Sequence, residues 1–380
     1  MRGRRYTAPP LTSTCSVVCQ SYKEIISEVI KNRKRKSVGE FHNPIGAFRR
    51  KADYNNVGKT SVLEAIQFFC APNKYNLMLI ARQREKYKSN SSLGFVDSLE
   101  YLFDVNCGSH KELEICGQVH GNIERIKVYG ELGIQFVDLD KWNKRDGLSW
   151  KPVFENSGEI ETFYGKICRS LKNNIEEFEV NDYSRIRTSL FKENIVLPSQ
   201  IILTVDHMIE NAFNKLISSS MIKEKAVTLL QEEFENNIVD LRIIGEKSRY
   251  IPVVEIENGQ YIPLDLYGDG MKKVLTMLNA IVNTEKGVVL IDEFETGLHT
   301  SVMEKAFSFI IESALKSEVQ LFMTTHSLEA VDKLLESSEQ YTKDIRIIRL
   351  RKKNGKVFSS VMNGCEALEN RREYDLELRV

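Results

Sequence analysis

The stretch that most restricts the fold is Val288-Val-Leu-Ile-Asp-Glu293, entered from Gly287. A short, uniformly apolar run of this kind reads as a strand covered on both faces, which is the usual state of strands in parallel sheets. The next hundred or so positions toward the C-terminus have the same character. Ser301 to Leu315 fits a helix, with Ser301 and Glu304 at capping-box spacing. Val319-Gln-Leu-Phe-Met323 is the next apolar strand, and Leu328, Val331, Leu334 and Leu335 mark another helix. Ile345–Leu350 and Lys356–Met362 flank Asn354-Gly355 and predict a closing hairpin with a type I′ turn. Alternating short strands and helices specify an α/β architecture, with a parallel sheet between helical layers.

The 380 residues suffice for two ordinary domains or one large α/β domain carrying an insertion. Apolar residues make up 42%, enough for a substantial core. Lys+Arg and Asp+Glu are equal at 53 each, so overall charge gives no reason to expect binding to nucleic acid or an anionic membrane. The seven cysteines, at 15, 19, 70, 107, 116, 168 and 365, are scattered and odd in number. They read as reduced thiols, and structural zinc is not expected from their spacing. No apolar run approaches the ~20 residues of a membrane helix. The N-terminus lacks the apolar stretch and cleavage site of a signal peptide. A cytoplasmic protein is the expectation.

Charge is nonetheless uneven. Residues 1–52 hold twelve Lys/Arg against three Glu, including Lys31-Asn-Arg-Lys-Arg-Lys36 and Arg49-Arg-Lys51. A solvated arm without strand alternation is the plain reading, and a nucleic-acid contact is the sharper one. A helix is predicted from Lys59 to about Cys70, with Val62, Ile66 and Phe69 on one face. Residues 76–100 are polar and basic and predict a surface loop. Residues 112–138 alternate apolar and polar, separated at Gly117, Gly121 and Gly130, and predict an antiparallel β meander. From 155 to 245 apolar spacings of three and four predict a helical lobe, as in Ile209, Phe213, Leu216, Ile217 and in Ala226, Leu229, Leu230, Phe234. No heptad persists long enough for a coiled coil.

Several strings carry chemistry. In Asn55-Asn-Val-Gly-Lys-Thr-Ser61, Gly58 lets the backbone approach a phosphate, Lys59 can reach the β- and γ-phosphates, and the Thr60 hydroxyl can ligate Mg²⁺. The full pattern asks for glycine at position 53, where this chain has Asp53. Ala47-Phe-Arg-Arg-Lys-Ala52 is also unlike a buried leading strand. The string by itself stays open between a phosphate loop and a polar turn that caps a helix. Asp292 and Glu293 end a buried strand, which by itself reads as a strand running into an acidic loop or as a Walker B element. His326, in Thr324-Thr-His-Ser327 after the next strand, is placed to touch a phosphate or is incidental. Tyr267-Gly-Asp-Gly-Met271 precedes a helix carrying Val274, Leu275, Leu278, Ile281 and Val282, so Gly268, Asp269 and Gly270 read either as an anion site at a helix start or simply as a turn.

Their order is more specific than any one of them. Phosphate loop, long insert, glycine turn at a helix start, Asp-Glu strand, Gly297-Leu-His299 turn and Thr-His-Ser strand end match the order of ABC ATPases. The sequence resembles an ABC-type AAA ATPase of the OLD-like group, related at head level to SMC proteins. Residues 55–71 and 263–365 carry the resemblance, residues 96–140 fit it loosely, and residues 1–52 do not carry it.

The resemblance implies a P-loop NTPase, an ABC-type head with an antiparallel β subdomain and an inserted helical lobe. It divides the chain into a divergent basic segment (1–52), the first part of the head with phosphate loop and β subdomain (53–150), the helical lobe (151–250) and the second part of the head (251–380). It implies ATP and Mg²⁺ as cofactors. Asn55, Asn56, Gly58, Lys59, Thr60 and Ser61 would bind nucleotide, and Thr60 and Asp292 would serve the metal. Glu293 would be the catalytic base and His326 the switch histidine. Gly268, Asp269 and Gly270 would contact the γ-phosphate held by a partner head, with Gly297–His299 in the dimer-contact loop. Gln67 and Gln83 are candidates for the Mg²⁺-sensing glutamine. The implied partners are a second head, a nuclease or toxin effector, and DNA, with roles in DNA repair or anti-phage defence and no membrane. A non-hydrolysing scaffold with an impaired phosphate loop is the alternative, favoured by Asp53. A full OLD nuclease is not expected, since the residues after His326 read as a hairpin and tail.

Overall fold

The computed structural model describes residues 15–18, 59–85, 109–119, 122–136, 159–171, 174–180, 199–202, 213–246, 249–284, 286–353 and 356–374. In chain order the elements are β1 (Cys15–Val18), α1 (Lys59–Cys70), α2 (Lys74–Glu85), β2 (His110–Val119), β3 (Asn122–Phe136), β4 (Glu159–Leu171), β5 (Asn174–Val180) and β6 (Ser199–Ile202). Then come α3 (Asn214–Ser218), α4 (Ser220–Glu233), β7 (Ile238–Glu246), β8 (Arg249–Ile256), β9 (Tyr261–Pro263), α5 (Asp269–Thr284) and β10 (Val288–Ile291). The chain continues through α6 (Thr300–Lys316), β11 (Gln320–Thr324), α7 (Leu328–Ser337), β12 (Ile345–Lys353), β13 (Lys356–Asn363) and α8 (Gly364–Tyr374). Two compact units result. One gathers Met1–Tyr22, Leu197–Leu350 and Ser359–Val380, and the other Lys23–Val196 with Arg351–Phe358.

The first unit is built on a sheet of order β13-β12-β1-β11-β10-β6 among the described residues. The pairs β6–β10, β10–β11, β11–β1 and β1–β12 are all parallel. All four residues of β10 are buried. Helix α5 buries Val274, Leu275, Leu278 and Ile281 completely, in one apolar cluster with Ile291, Phe294, Phe307 and Ile310. Full burial of each such side chain contributes about 1.5–3 kcal/mol. The rings of Phe294 and Phe307 meet edge to face, 4.9 Å apart at 68°, which locks the turn after β10 onto α6. The expected strand at 319–323, the helices after Gly268 and Ser327, and the closing pair of strands all form. Residues 354–355 lie outside the described residues. A small antiparallel sheet, β7-β8-β9, completes the unit.

The second unit carries the antiparallel sheet β2-β3-β4-β5. Its first hairpin is the expected meander, with Leu113 opposite Val128 and Ile115 opposite Ile126. The inner face is apolar, and the Phe69 ring of α1 packs onto Gly117 of β2. Gly117 lies inside β2, and Gly130 does not separate strands either. It lies inside β3 opposite Gly165, where a Cβ would stand 2.6 Å from the Phe163 ring and one on Gly165 2.2 Å from it. Two facing glycines make the slot for that buried ring. On the same sheet Arg169 forms a two-pronged ion pair with Glu124, its Nη2 donating at 3.1 Å, and both side chains are buried. Removing Glu124 takes its carboxylate away from a buried guanidinium. Glu124→Ala is therefore expected to lower unfolding free energy by about 3–5 kcal/mol, read by chemical denaturation.

Four expectations need correction. The helical lobe over 151–250 forms only at Asn214–Ser218 and Ser220–Glu233 among the described residues, because Glu159–Leu171 and Asn174–Val180 are strands. Phe163, Ile167 and Arg169 alternate inward there, and pairing with β3 outweighs a weak helical pattern. Residues 76–85 of the stretch expected to include a surface loop belong to helix α2, held by buried Leu77, Met78 and Ile80, and residues 86–100 lie outside the described residues. Helix α6 is capped not by Ser301 but by His299, whose Nδ1 accepts from the Ser301 N–H, while Glu304 pairs with Lys333 of α7. The arm expected to lack strands contributes β1, which enters the sheet between β11 and β12. The rest of residues 1–58 lies outside the described residues, including the stretch at 45–52. Among the described residues no helix is long and apolar enough to cross a membrane.

Candidate functional site

Parallel strands bring their carboxyl ends to one edge, and that edge is where open α/β sheets hold ligands. Here Ile291 is paired with Met323 and Val18 with Thr324, so the residues after β10 and β11 emerge side by side. Buried Asp292 donates its backbone N–H to the Ile202 carbonyl at 2.8 Å, and its Oδ1 accepts from the Thr324 hydroxyl at 2.7 Å. The same hydroxyl oxygen accepts from the Glu293 N–H at 2.9 Å, and the Thr324 carbonyl accepts from the Phe294 N–H at 3.0 Å. A wholly buried threonine thus fixes both acids of the strand end.

Glu293 has φ 47, in the left-handed region. Such a conformation costs of order 1–3 kcal/mol in a non-glycine residue and persists where its surroundings enforce it. Its carboxylate is turned toward His326, with Oε1 3.1 Å from Nε2. Two residues on, Glu295 Oε1 accepts from the His326 N–H at 2.9 Å. The next residue, Ser327, caps α7 by accepting from the Ala330 N–H, and its own N–H donates to Thr325 Oγ1. The Thr-His-Ser segment therefore ends a strand, starts a helix and presents an imidazole between them.

Gly268 precedes α5, and Asp269 and Gly270 begin it. A Cβ on Gly270 would stand 2.8 Å from the Gly297 carbonyl oxygen, and Gly297 itself has φ 84. The glycine turn and the Gly297–His299 loop are thus packed together within one unit. Among the described residues no heavy atom lies within 4 Å of a Cβ added at Gly268, at the start of this helix. The Asp269 carboxylate pairs with Lys272 at 2.9 Å. Burial, with the Glu235 carboxylate, pushes the Tyr267 phenol up.

Of the other sequence-predicted residues, Lys59, Thr60 and Ser61 form the first turn of α1 in the second unit. Asn55, Asn56 and Gly58 lie outside the described residues. Asp292, Glu293 and His326 converge, with Gly268–Gly270 beside Gly297 in the same unit. Sequence reasoning missed Thr324 and Glu295. Glu295 could have been noticed as the second acid of Asp292-Glu-Phe-Glu295, whereas the role of Thr324 depends on strand register.

The family model described as "AAA domain, putative AbiEii toxin, Type IV TA system" matches residues 136–332. That span holds the glycine turn, both acids and His326. The chain belongs to this AAA ATPase family. A Helicobacter pylori protein named ATP/GTP phosphatase is 30% identical over 303 residues, covering 73% of this chain and 79% of that protein. An uncharacterized Methanocaldococcus jannaschii protein is 34% identical over 106 residues, covering 28% of this chain and 90% of its own length. Among solved structures, an SMC head bound to the C-winged helix domain of ScpA aligns over 93% of this chain and 92% of that one, at 11% identity and a TM-score of 0.42. The SMC head of Thermotoga maritima aligns over 92% and 90%, at 12% identity and a TM-score of 0.32. This member of the AAA family has an α/β fold, with its parallel sheet in one unit and a four-stranded antiparallel sheet in the other.

Proposed function

We propose that this chain binds ATP with Mg²⁺ and hydrolyses it to ADP and phosphate in a head-to-head dimer. The observation that carries the reading is the single cluster at the sheet edge, where Thr324 fixes Asp292 and Glu293 and the Glu293 carboxylate meets His326. The residue types suit the ligands: carboxylate and hydroxyl oxygens are the hard donors that Mg²⁺ takes, and a glycine turn at a helix start fits a phosphate. Bound Mg²⁺ would neutralise charge building on the β- and γ-phosphoryl oxygens. Glu293 takes a proton from the attacking water as the bond to the γ-phosphorus forms and that to ADP breaks. His326 orients that water and the phosphoryl group. Asn55, Asn56, Gly58, Lys59, Thr60 and Ser61 hold the triphosphate, and Gly268, Asp269 and Gly270 reach the γ-phosphate bound by a second copy.

The family description and the name of the H. pylori relative support nucleotide hydrolysis. An OLD-like head in the cytoplasm, governing a nuclease or toxin effector in anti-phage defence or DNA repair and touching DNA, extends the reading to its biology. Asp53, where a phosphate loop carries glycine, favours a second reading, a scaffold that binds partners without hydrolysis. Steady-state ATP hydrolysis across a protein-concentration series separates them. Specific activity is expected to rise with concentration, because each site draws its glycine turn from another copy. Specific activity that stays flat removes the dimeric site, and no turnover at any concentration leaves the scaffold.

A further inference from the structure

Glu295 is the acid of the sheet-edge cluster to which the hydrolysis reading gives no role. Its Oε1 accepts the His326 N–H at 2.9 Å. Its Oε2 is shut away from solvent, with no hydrogen-bond donor reaching it among the described residues. A buried carboxylate oxygen left this way costs stability, so the side chain is a poor device for holding the turn together. The turn has its own closure, since the Leu298 N–H donates to the Glu295 carbonyl, a backbone bond that any substitution keeps. What the carboxylate does reach is the backbone of the one residue whose imidazole meets Glu293, 3.1 Å away. Residue 326 is therefore held at its amide by one acid of the Asp292–Glu295 turn and at its ring by another.

We propose that Glu295 is the positioning residue for His326: its carboxylate pins the His326 amide so that the imidazole stays within reach of Glu293 and of the reacting phosphoryl group. This rests on the hydrolysis reading for its consequence, and on the sheet-edge geometry for its cause. The contact of Glu295 is with the His326 amide. It acts by fixing where the β11–α7 connection leaves the sheet edge, and a displacement of about 1 Å in such a group can lower turnover by about 10²-fold.

Three variants decide it in the full-length chain: Glu295→Ala, Glu295→Gln and Glu293→Gln. Glu295→Gln keeps an acceptor for the His326 N–H. It is expected to hold kcat within about threefold of wild type, while Glu295→Ala loses about 10- to 100-fold in kcat with KM for ATP nearly unchanged, the sign of a group serving the transition state. Backbone amide exchange at His326, followed by ¹⁵N NMR or mass spectrometry, should become fast in Glu295→Ala and stay slow in Glu295→Gln. Wild-type kcat in Glu295→Ala beside an inactive Glu293→Gln overturns the positioning role and leaves the hydrolysis reading standing. Equal losses in the Ala and Gln variants also overturn it, since the acceptor would then not matter. If the wild-type chain does not turn over ATP, the hydrolysis reading falls. The exchange experiment still decides the contact, and unchanged protection of the His326 amide in Glu295→Ala overturns it.

Discussion

Glu293→Gln is expected to reduce steady-state ATP turnover by about 10²–10⁴-fold, the range lost with a general base. The substitution is close to isosteric. The backbone at φ 47 and the N–H donated to Thr324 Oγ1 do not depend on the carboxylate, so the turn keeps its shape. What disappears is the proton acceptor and the negative charge opposite His326. ATP affinity should stay within about twofold, because the groups assigned to the triphosphate lie elsewhere, and the loss should fall on kcat. Steady-state and single-turnover kinetics, with equilibrium binding of a fluorescent ATP analogue, give both numbers. A variant that hydrolyses ATP at the wild-type rate would move the base to another residue.

Thr324→Val should unfold at distinctly lower denaturant, with a loss of about 2–5 kcal/mol, and should lose turnover with it. Valine matches threonine in shape, so packing in the wholly buried site is preserved. Two interactions go: the hydroxyl no longer donates to Asp292 Oδ1, and the Glu293 N–H loses its acceptor. A hydrogen bond to a charged group is worth about 1.5–3 kcal/mol, and a buried donor left unpaired costs about 1–3 kcal/mol. The strained Glu293 also loses one of the bonds that hold it. Thr324→Ser keeps the hydroxyl and should retain most of both stability and turnover. Urea denaturation of the pair of variants isolates the hydroxyl from the methyl. A valine variant as stable as wild type would mean that Asp292 and Glu293 are held by other contacts.

Much of this site is legible in the sequence, and the reason is local. A run such as Val288–Ile291 has few ways to be satisfied other than a doubly covered strand, so the acids directly after it must emerge at a sheet edge. Ser327 and the apolar positions of α7 announce a helix start, which places His326 in the connection between strand and helix. Helix α1 was readable for the same reason, its apolar spacing fitting one period. The segments misread were those where local pattern is ambiguous. Glu159–Leu171 mixes charged and apolar residues in a way that suits either period, and only its pairing with β3 selects the strand. Lys74–Glu85 is polar enough to pass for a loop until Leu77 and Ile80 find a core.

By itself the sequence determined the α/β character and the order of its motifs, and it marked Asp292, Glu293, His326 and Gly268–Gly270 as candidates. Each of these is set by neighbours a few positions away. Tertiary structure decided the rest. The insertion of Cys15–Val18 between β11 and β12 brings together residues from near opposite ends of the chain. The hydroxyl of Thr324 reaches Asp292 across β10–β11 pairing, and the Glu295 carboxylate reaches a backbone amide on a different connection. Such contacts depend on strand register and on the path of the backbone between distant segments. Neither leaves a periodic trace in the chain, because any residue that fits the buried geometry can occupy the position.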